Sequence, residues 1–315
     1  MNRKLPTILA AATLAGLSAM AYTIDWAKIR YWSGEGDNRA ALVVQLDIPE
    51  SENPGAIVWG YRWKDGEKPT GEDMLRAVAA ASPDLVALTQ YTGDMGNTMC
   101  GIGYAADAAA MLDKIDYNFD EATEHAYPNT GANISFGFFE PNATMHQTSA
   151  PGNETLNLIY ASLEDAAKTH IIEHPLNAGA FGYACYDYDW WQMSSAKNCY
   201  WNAGWYNGYW SYWVGNADLD DLSYSGLGMS STDLADGDVH GWKYNNIDGF
   251  TGATSGWLAP NYDHFADVSG IADINIGYST PAIYYRMDGT QATGDLIPGI
   301  YIKKQGDKTT KILIR

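Results

Sequence analysis

A repeated aromatic signature constrains this chain more than any other feature. Tyr31-Trp32-Ser33-Gly34, with Asp37 following, recurs as Tyr212-Trp213-Val214-Gly215, with Asp218 following, at an offset of 181. The same offset carries Gly60-Tyr61-Arg62-Trp63 onto Gly241-Trp242-Lys243-Tyr244, and Thr70-Gly71 onto Thr251-Gly252. Three matches keep one register without a gap, which predicts two related strand units over 27–82 and 208–260. In each copy, Y-W-x-G ends a strand in a Gly turn. The G-aromatic-basic-aromatic run alternates its faces as a strand does.

Helices flank these units. Thr70-Gly71-Glu72-Asp73 offers a capping box before an apolar helix from Met74 to Ala81, which stops ahead of Pro83. Gly256 and small polar residues weaken any helix in the second copy. The Ala-rich run Tyr104 to Ile115 predicts a helix. So does Leu156 to Ile172, where Leu156, Ile159, Tyr160, Leu163, Ala167 and Ile171 keep helical spacing. The stretch from Pro128 to Asn153 reads as loop with at most one strand, Ile134 to Phe139. The expected fold is therefore α+β: two related strand units with helices packed on one side, and a small C-terminal β unit.

The two ends read as addresses. Arg3 and Lys4, the apolar run Leu5 to Met20 and the small-x-small Ala19-Met20-Ala21 predict a signal peptide over 1–21. No later run has the roughly 18 apolar residues that a spanning helix needs, so no membrane span is expected. At the other end, Asp288-Gly289, Gly294-Asp295, Pro298-Gly299 and Gly306-Asp307 break 279–315 into short strands. The body is thus 22–278.

Charge narrows the partners. The chain has 19 Lys+Arg against 38 Asp+Glu, a net charge of −19. Such a surface repels phosphate backbones, which excludes nucleic acid as a partner. The three cysteines are Cys100, Cys185 and Cys199. In an oxidising compartment Cys185 and Cys199 are the natural disulfide, leaving Cys100 free; three buried thiols are the other reading.

Familiar chemistry is sparse. His170-Ile171-Ile172-Glu173-His174 has the H-x-x-E-H order of one zinc-peptidase class. However, Pro175 follows at once and no pattern supplies a third ligand, so a surface histidine pair at a helix end, structural rather than catalytic, is the better reading. Asp218, Asp220, Asp221, Asp236 and Asp238 lack calcium-loop spacing and read as turn residues. A carboxylate pair for glycoside hydrolysis is not singled out by any spacing. Neither a catalytic residue nor a metal ligand nor a cofactor is assigned.

The aromatics remain. Half of the 12 tryptophans fall between 182 and 215. Tyr31, Trp32, Trp63, Tyr212, Trp213 and Trp242 belong to the repeat and suit packing. Tyr188, Trp190, Trp191, Trp201, Trp205, Tyr206, Tyr209 and Trp210 have no such role. Interleaved with Asn, Ser and Gly and braced by Cys185 and Cys199, they are the expected ligand surface, since rigid amphipathic rings stack on planar or sugar-like ligands.

Two resemblances add to this reading. Tyr284-Tyr285-Arg286-Met287-Asp288-Gly289, "PGIYIKK" from Pro298 and the terminal "KILIR" resemble the C-terminal sorting domain of type IX secretion cargo. This implies a tail read at the outer membrane. "YWVG…LSYSGLGMSSTDLADGDVHGWKY", with "YWSGEGDNRAALVVQL…VWGYRW…TGEDMLRA", resembles a family of secreted bacterial proteins found beside outer-membrane uptake systems for corrinoids (vitamin B12-type compounds) or related metal nutrients. The resemblance spans most of 27–257 and carries no binding residues with it. It implies a non-catalytic protein, secreted or at the outer cell surface, that captures a corrinoid- or haem-like nutrient, with an outer-membrane transporter as partner. A glycan-binding or adhesive protein and a glycoside hydrolase are the alternatives.

Overall fold

A computed structural model describes residues 22–49, 52–93, 96–118, 152–175, 187–204, 208–246, 256–265, 283–286, 290–292, 299–305 and 308–314. The expected signal peptide, the expected strand over 134–139, and Thr251-Gly252 lie outside these residues. What is described is a mixed α+β protein in which strands predominate.

The first sheet is built on two apolar runs. β2 (Asn38–Gln45) and β3 (Ala56–Trp63) pair antiparallel and are buried on both faces. Near-continuous apolar strands of this kind require cover on both sides. β1 (Trp32–Gly34) adds parallel to β3, with Trp32 opposite Gly60. On the other side β12 (Val239–Asn246) adds parallel to β2, and β10 (Gly208–Gly215) pairs antiparallel with β12. β11 (Ser223–Tyr224) closes that edge, and β13 (Pro260–Asn261) also joins β3.

The two repeat copies thus lie in one sheet, and their matching residues share faces. Tyr61, Trp63, Trp242 and Tyr244 border one core; Trp32 and Trp213 border the other. The strand directions nevertheless differ. Trp32 faces Gly60 across a parallel pair, whereas Trp213 faces Gly241 across an antiparallel one.

Helix α1 (Gly71–Ala81) starts as the sequence predicts. Thr70 caps it, accepting from the Asp73 N–H at 3.3 Å, while the Asp73 carboxylate accepts from the Thr70 N–H at 2.8 Å. Its apolar stripe, Met74, Leu75, Val78 and Ala79, is buried against the first sheet and against a second one. In that second sheet β4 (Leu85–Tyr91) and β5 (Asn97–Ala105) form an antiparallel pair. β7 (Ile171–Glu173) flanks β4 and β9 (Cys199–Ala203) flanks β5. β4 alternates as a fully covered strand does: Leu85 and Ala87 face α1, Val86 and Leu88 face away.

The far face of the second sheet carries α2 (Ala108–Leu112), α3 (Asn153–Asp165) and a small pair, β6 (Ile115–Tyr117) with β8 (Trp191–Met193). Helices therefore lie on both faces of this second sheet, whereas the first sheet, which carries the repeat strands, has α1 on one face among the described residues. The expected helix over 104–115 is realised only at Ala108–Leu112: Tyr104 and Ala105 end β5, Asp107 caps the helix, and Ile115 already begins β6. The expected helix over 156–172 ends at Asp165, and Ile171-Ile172 instead pair with Ala87 and Leu88. Two β-branched residues in a row suit that buried strand better than a helix end. Of the expected helical stripe, Ile159 is buried while Tyr160 is exposed.

In the tail, β14 (Ile283–Arg286), β15 (Gln291–Ala292), β16 (Gly299–Gln305) and β17 (Lys308–Ile314) form an antiparallel sheet in the order β15-β14-β16-β17. A hairpin-rich β unit is what its turns predict.

Where the first sheet meets the start of α1, Gly71 leaves room for a buried contact. The Tyr212 hydroxyl shares a hydrogen bond with His240 Nδ1 at 2.6 Å, and a Cβ at Gly71 would stand 2.1 Å from that hydroxyl. Burial pushes the His240 imidazole down to about 4. An unfolded histidine takes up its proton near pH ~6.5, so His240 stabilises the fold fully above that pH. This contribution is lost as pH falls toward 4, by on the order of 3 kcal/mol. His240→Gln should flatten the fall in urea-unfolding free energy between pH 7 and 4.5. An unchanged slope would exclude His240 as its source.

Candidate ligand-binding site

The rings expected to form a ligand surface are largely interior. Tyr188, Trp190 and Trp191 are buried on the far face of the second sheet, among Met111, Ile159 and Ile172, and Trp210 is buried in the core between the sheets. Trp201 is half-buried on β9, where it lies over strand glycines. A Cβ on Gly101 or Gly103 would come within 2.7 or 2.9 Å of its ring. Indole N–H groups are also used internally: Trp201 donates to Trp191 O at 2.8 Å, and Trp210 to Asn202 O at 2.9 Å. Tyr209 is half-buried, and burial raises its phenol to about 12. Trp205, Tyr206 and Cys185 lie outside the described residues. Cys199 carries a free thiol, so the expected bridge is not formed in this structure. The described rings mainly pack between sheets and strands, Trp201 filling space that the glycines of β5 leave open.

The H-x-x-E-H residues are not the expected surface pair at a helix end: Ile171–Glu173 is strand β7, His174 is buried, and His170, Glu173 and His174 each have a separate structural partner. His170, at φ 55°, meets Ala79 O and Ser82 O at 2.9 Å through Nδ1 and so caps the end of α1. Glu173 pairs with Arg76 at 2.7 Å. His174 is buried, with Nε2 on Asp187 at 2.8 Å and Nδ1 on Gln90 Nε2 at 3.1 Å. Since Tyr188 donates to Gln90 Oε1 and Tyr117 donates to Asp187 at 3.0 Å, the chain of donors assigns His174 as neutral, with the proton on Nε2. Among the described residues no group of three His, Cys, Asp or Glu could hold a metal ion. Cys100 beside this network is fully buried, and that burial pushes its thiol well up, which makes it inert as a nucleophile.

A second buried pair holds the other core. His264 Nδ1 sits on Asp84 at 2.8 Å and its Nε2 on Val58 O at 3.1 Å, two acceptors. Trp59 Nε1 donates to Ser82 Oγ at 2.9 Å, and Ser82 donates to Asp84. Asp84 therefore stands between the serine and the histidine, the wrong order for a serine nucleophile activated by a base. The acidic turn residues also act locally: Asp218 accepts from Asp220 N, Asp236 from Arg39 N and Asp238 from Ala235 N.

Aromatic faces and cations do meet at the partly open end of the first sheet. Trp26 and Trp32 stack with centroids 6.4 Å apart and planes at 28°. The Arg39 guanidinium lies 4.5 Å from the Trp26 centroid, and Arg62 lies 4.4 Å from that of Trp32. All four side chains are half-buried. The rim is fixed from below. Trp32 lies flat on Gly60, whose Cβ would stand 2.3 Å from the ring, and its Nε1 donates to Ile29 O at 3.1 Å. The segment carrying Trp26 is held by Ile24 N to Ala217 O at 2.7 Å and Asp25 N to the Tyr262 hydroxyl at 2.7 Å. Beside it opens a cleft of about 580 Å³ lined by Thr23, Ile24, Asp25, Trp26, Ala27 and Arg39. Sequence reasoning placed Trp32 in the repeat and passed over Trp26, Arg39 and Arg62. Arg62 at the repeat's basic position was the available signal, since Lys243 at the matching position is buried and donates to Gly256 O.

These placements separate packing rings from rim rings. Trp191→Ala should cost about 3–5 kcal/mol in urea unfolding, as truncation of a buried Trp does. Trp26→Ala should cost about 1 kcal/mol or less, the scale of an exposed cation–π contact. Equal losses for the two would refute the distinction.

Neither a protein-family model, nor a curated protein, nor a solved structure matches this chain. Among the described residues, no helix is long and apolar enough to cross a membrane.

Proposed function

We propose that this is a non-catalytic ligand-capture protein of the cell exterior, holding a small ring-bearing nutrient on the Trp26–Trp32 rim and passing it to an outer-membrane transporter. The observation that carries the reading is the rim itself: two stacked indoles, half-open to solvent, on a fixed base and beside a cleft of about 580 Å³. Stacked rings held in place by backbone contacts offer a planar ligand contact area at little entropic cost. The reading is supported too by how the buried histidines are used, since His174 and His264 engage both ring nitrogens internally. The corrinoid or haem class follows from the resemblance of 27–257, and export with surface sorting follows from the two chain ends.

Tetrapyrrole capture has a direct optical signature. Mixing the protein with cyanocobalamin or haemin should shift the visible absorption band of one of them. Trp26→Ala or Trp32→Ala should weaken that binding about 2–10-fold, the equivalent of ~0.5–1.5 kcal/mol per aromatic contact. Unshifted bands for both, together with binding on a glycan panel, would replace nutrient capture by the glycan-binding reading.

A further inference from the structure

We propose that Arg39 and Arg62 make this rim a receptor for the acid group, carboxylate or phosphate, of a ring-bearing small molecule. This rests on the rim being the ligand site and adds what that ligand must carry. The register of β2 against β3 sets Arg39 directly opposite Arg62, so both side chains leave the same face of the sheet. Like charges in that position repel. Neither guanidinium has a carboxylate within ion-pair distance among the described residues, although the chain has twice as many acids as bases. The neighbouring arginines of the body behave differently. Arg30 pairs with Asp263 at 2.8 Å, and Arg76 pairs with Glu72 and Glu173 at 2.8 and 2.7 Å.

The acids on the flanking turns are engaged elsewhere or turned to solvent. Asp25 pairs with Lys28 at 3.4 Å and accepts from Ala27 N at 3.1 Å. Asp236 accepts from the Arg39 backbone N–H at 2.9 Å, and Asp65 from Asn38 Nδ2 at 3.0 Å. Glu35 and Asp37 are exposed on the turn between β1 and β2. What remains is a pair of positive charges held on indole faces, with Arg39 lining the cleft. A guanidinium held over a ring keeps the planar fork that matches carboxylate and phosphate oxygens. An anion seated there neutralises a repulsion that the protein itself leaves standing. Arg39 meets the acid group; Arg62 raises the potential beside it. The ring packs on the indole surface that the two guanidiniums leave open.

Pairs of probes that differ only in charge test this by calorimetry: 1-pyrenebutyrate against its neutral amide, and trigalacturonate against its methyl ester. The acid of at least one pair should bind ~tenfold or more tighter than its neutral twin at low salt. The pyrene pair identifies a flat apolar acid and the galacturonate pair an acidic sugar. The preference should vanish in Arg39→Gln/Arg62→Gln with the neutral twin's affinity unchanged, and persist in part in Arg39→Lys/Arg62→Lys. The double variant relieves the repulsion but gives up two cation–π contacts, so the melting temperature is measured beside the affinity. The unchanged binding of the neutral twin shows that loss of preference does not stem from unfolding. Equal affinity for acid and neutral twin would overturn the acid-group inference while leaving the rim as a stacking site. Failure of all four probes to bind would overturn both.

Discussion

Aromatic rings laid flat on strand glycines are the contact on which the rest of this fold depends. The motif occurs at Trp32 on Gly60, Trp201 on Gly101 and Gly103, Trp257 on Gly241 and Tyr244 on Gly208. In each case a Cβ on the glycine would stand under 3 Å from the ring. Glycine weakens a strand because it packs nothing and loses more backbone entropy than other residues. A ring lying in the hollow restores the buried area that the missing side chain would have supplied, and it fixes register, since only one cross-strand position has the space. A chain with 32 glycines, 12 tryptophans and 22 tyrosines has ample means to repeat this contact.

The same contact explains why polar groups are buried where they are. Large rings cover strand ends that would otherwise open to water, so histidine and carboxylate groups become enclosed and must pair with one another. His174 with Asp187 and His264 with Asp84 each have at most a few per cent of side-chain surface exposed. Each joins distant parts of the chain: Asp84 to His264 across the core between the sheets, and Gln90 to Tyr188 on the far face of the second sheet. Removing one partner from such a pair leaves a buried polar group unmatched, so these sites lock the topology more than they add to net stability.

Much of the local structure was legible in the sequence. The capping box at Thr70 and Asp73, the apolar stripe of α1 and the strand nature of Gly60–Trp63 and Gly241–Tyr244 all depend on near neighbours, which a sequence displays directly. The 181-residue offset aligned residues that lie in one sheet, yet it was silent on strand direction. The Trp–Gly opposition that it repeats is compatible with a parallel ladder at Trp32 and an antiparallel one at Trp213. The aromatic run was harder to read. Whether Trp201 is a surface ring or a packed one depends on Gly101 and Gly103, about a hundred positions earlier, and on a register that no local pattern states. Helix periodicity failed at Ile171-Ile172 for a similar reason: a parallel pairing with β4 outweighs a local spacing that suits a helix.

The rim follows from the same construction rule carried to the end of a sheet. Moving along β2 and β3, the face beneath Trp32 runs from Val43 opposite Val58, through Ala41 opposite Gly60, to Arg39 opposite Arg62. The first two pairs are buried by the rings and apolar residues above them, and the third marks where that cover thins. Apolar residues at this last position would extend the core; carboxylates would add to a surface already strongly negative. Two arginines do neither. Their guanidiniums lie over the indoles, Arg39 also lining the cleft, and neither has a carboxylate within ion-pair distance among the described residues. In an acidic protein two guanidiniums without ion-pair partners among the described residues stand apart from the acids of the flanking turns, and they sit where aromatic surface is partly open to solvent. The element that completes the packing of the sheet is thereby also the element best suited to recognise something outside it.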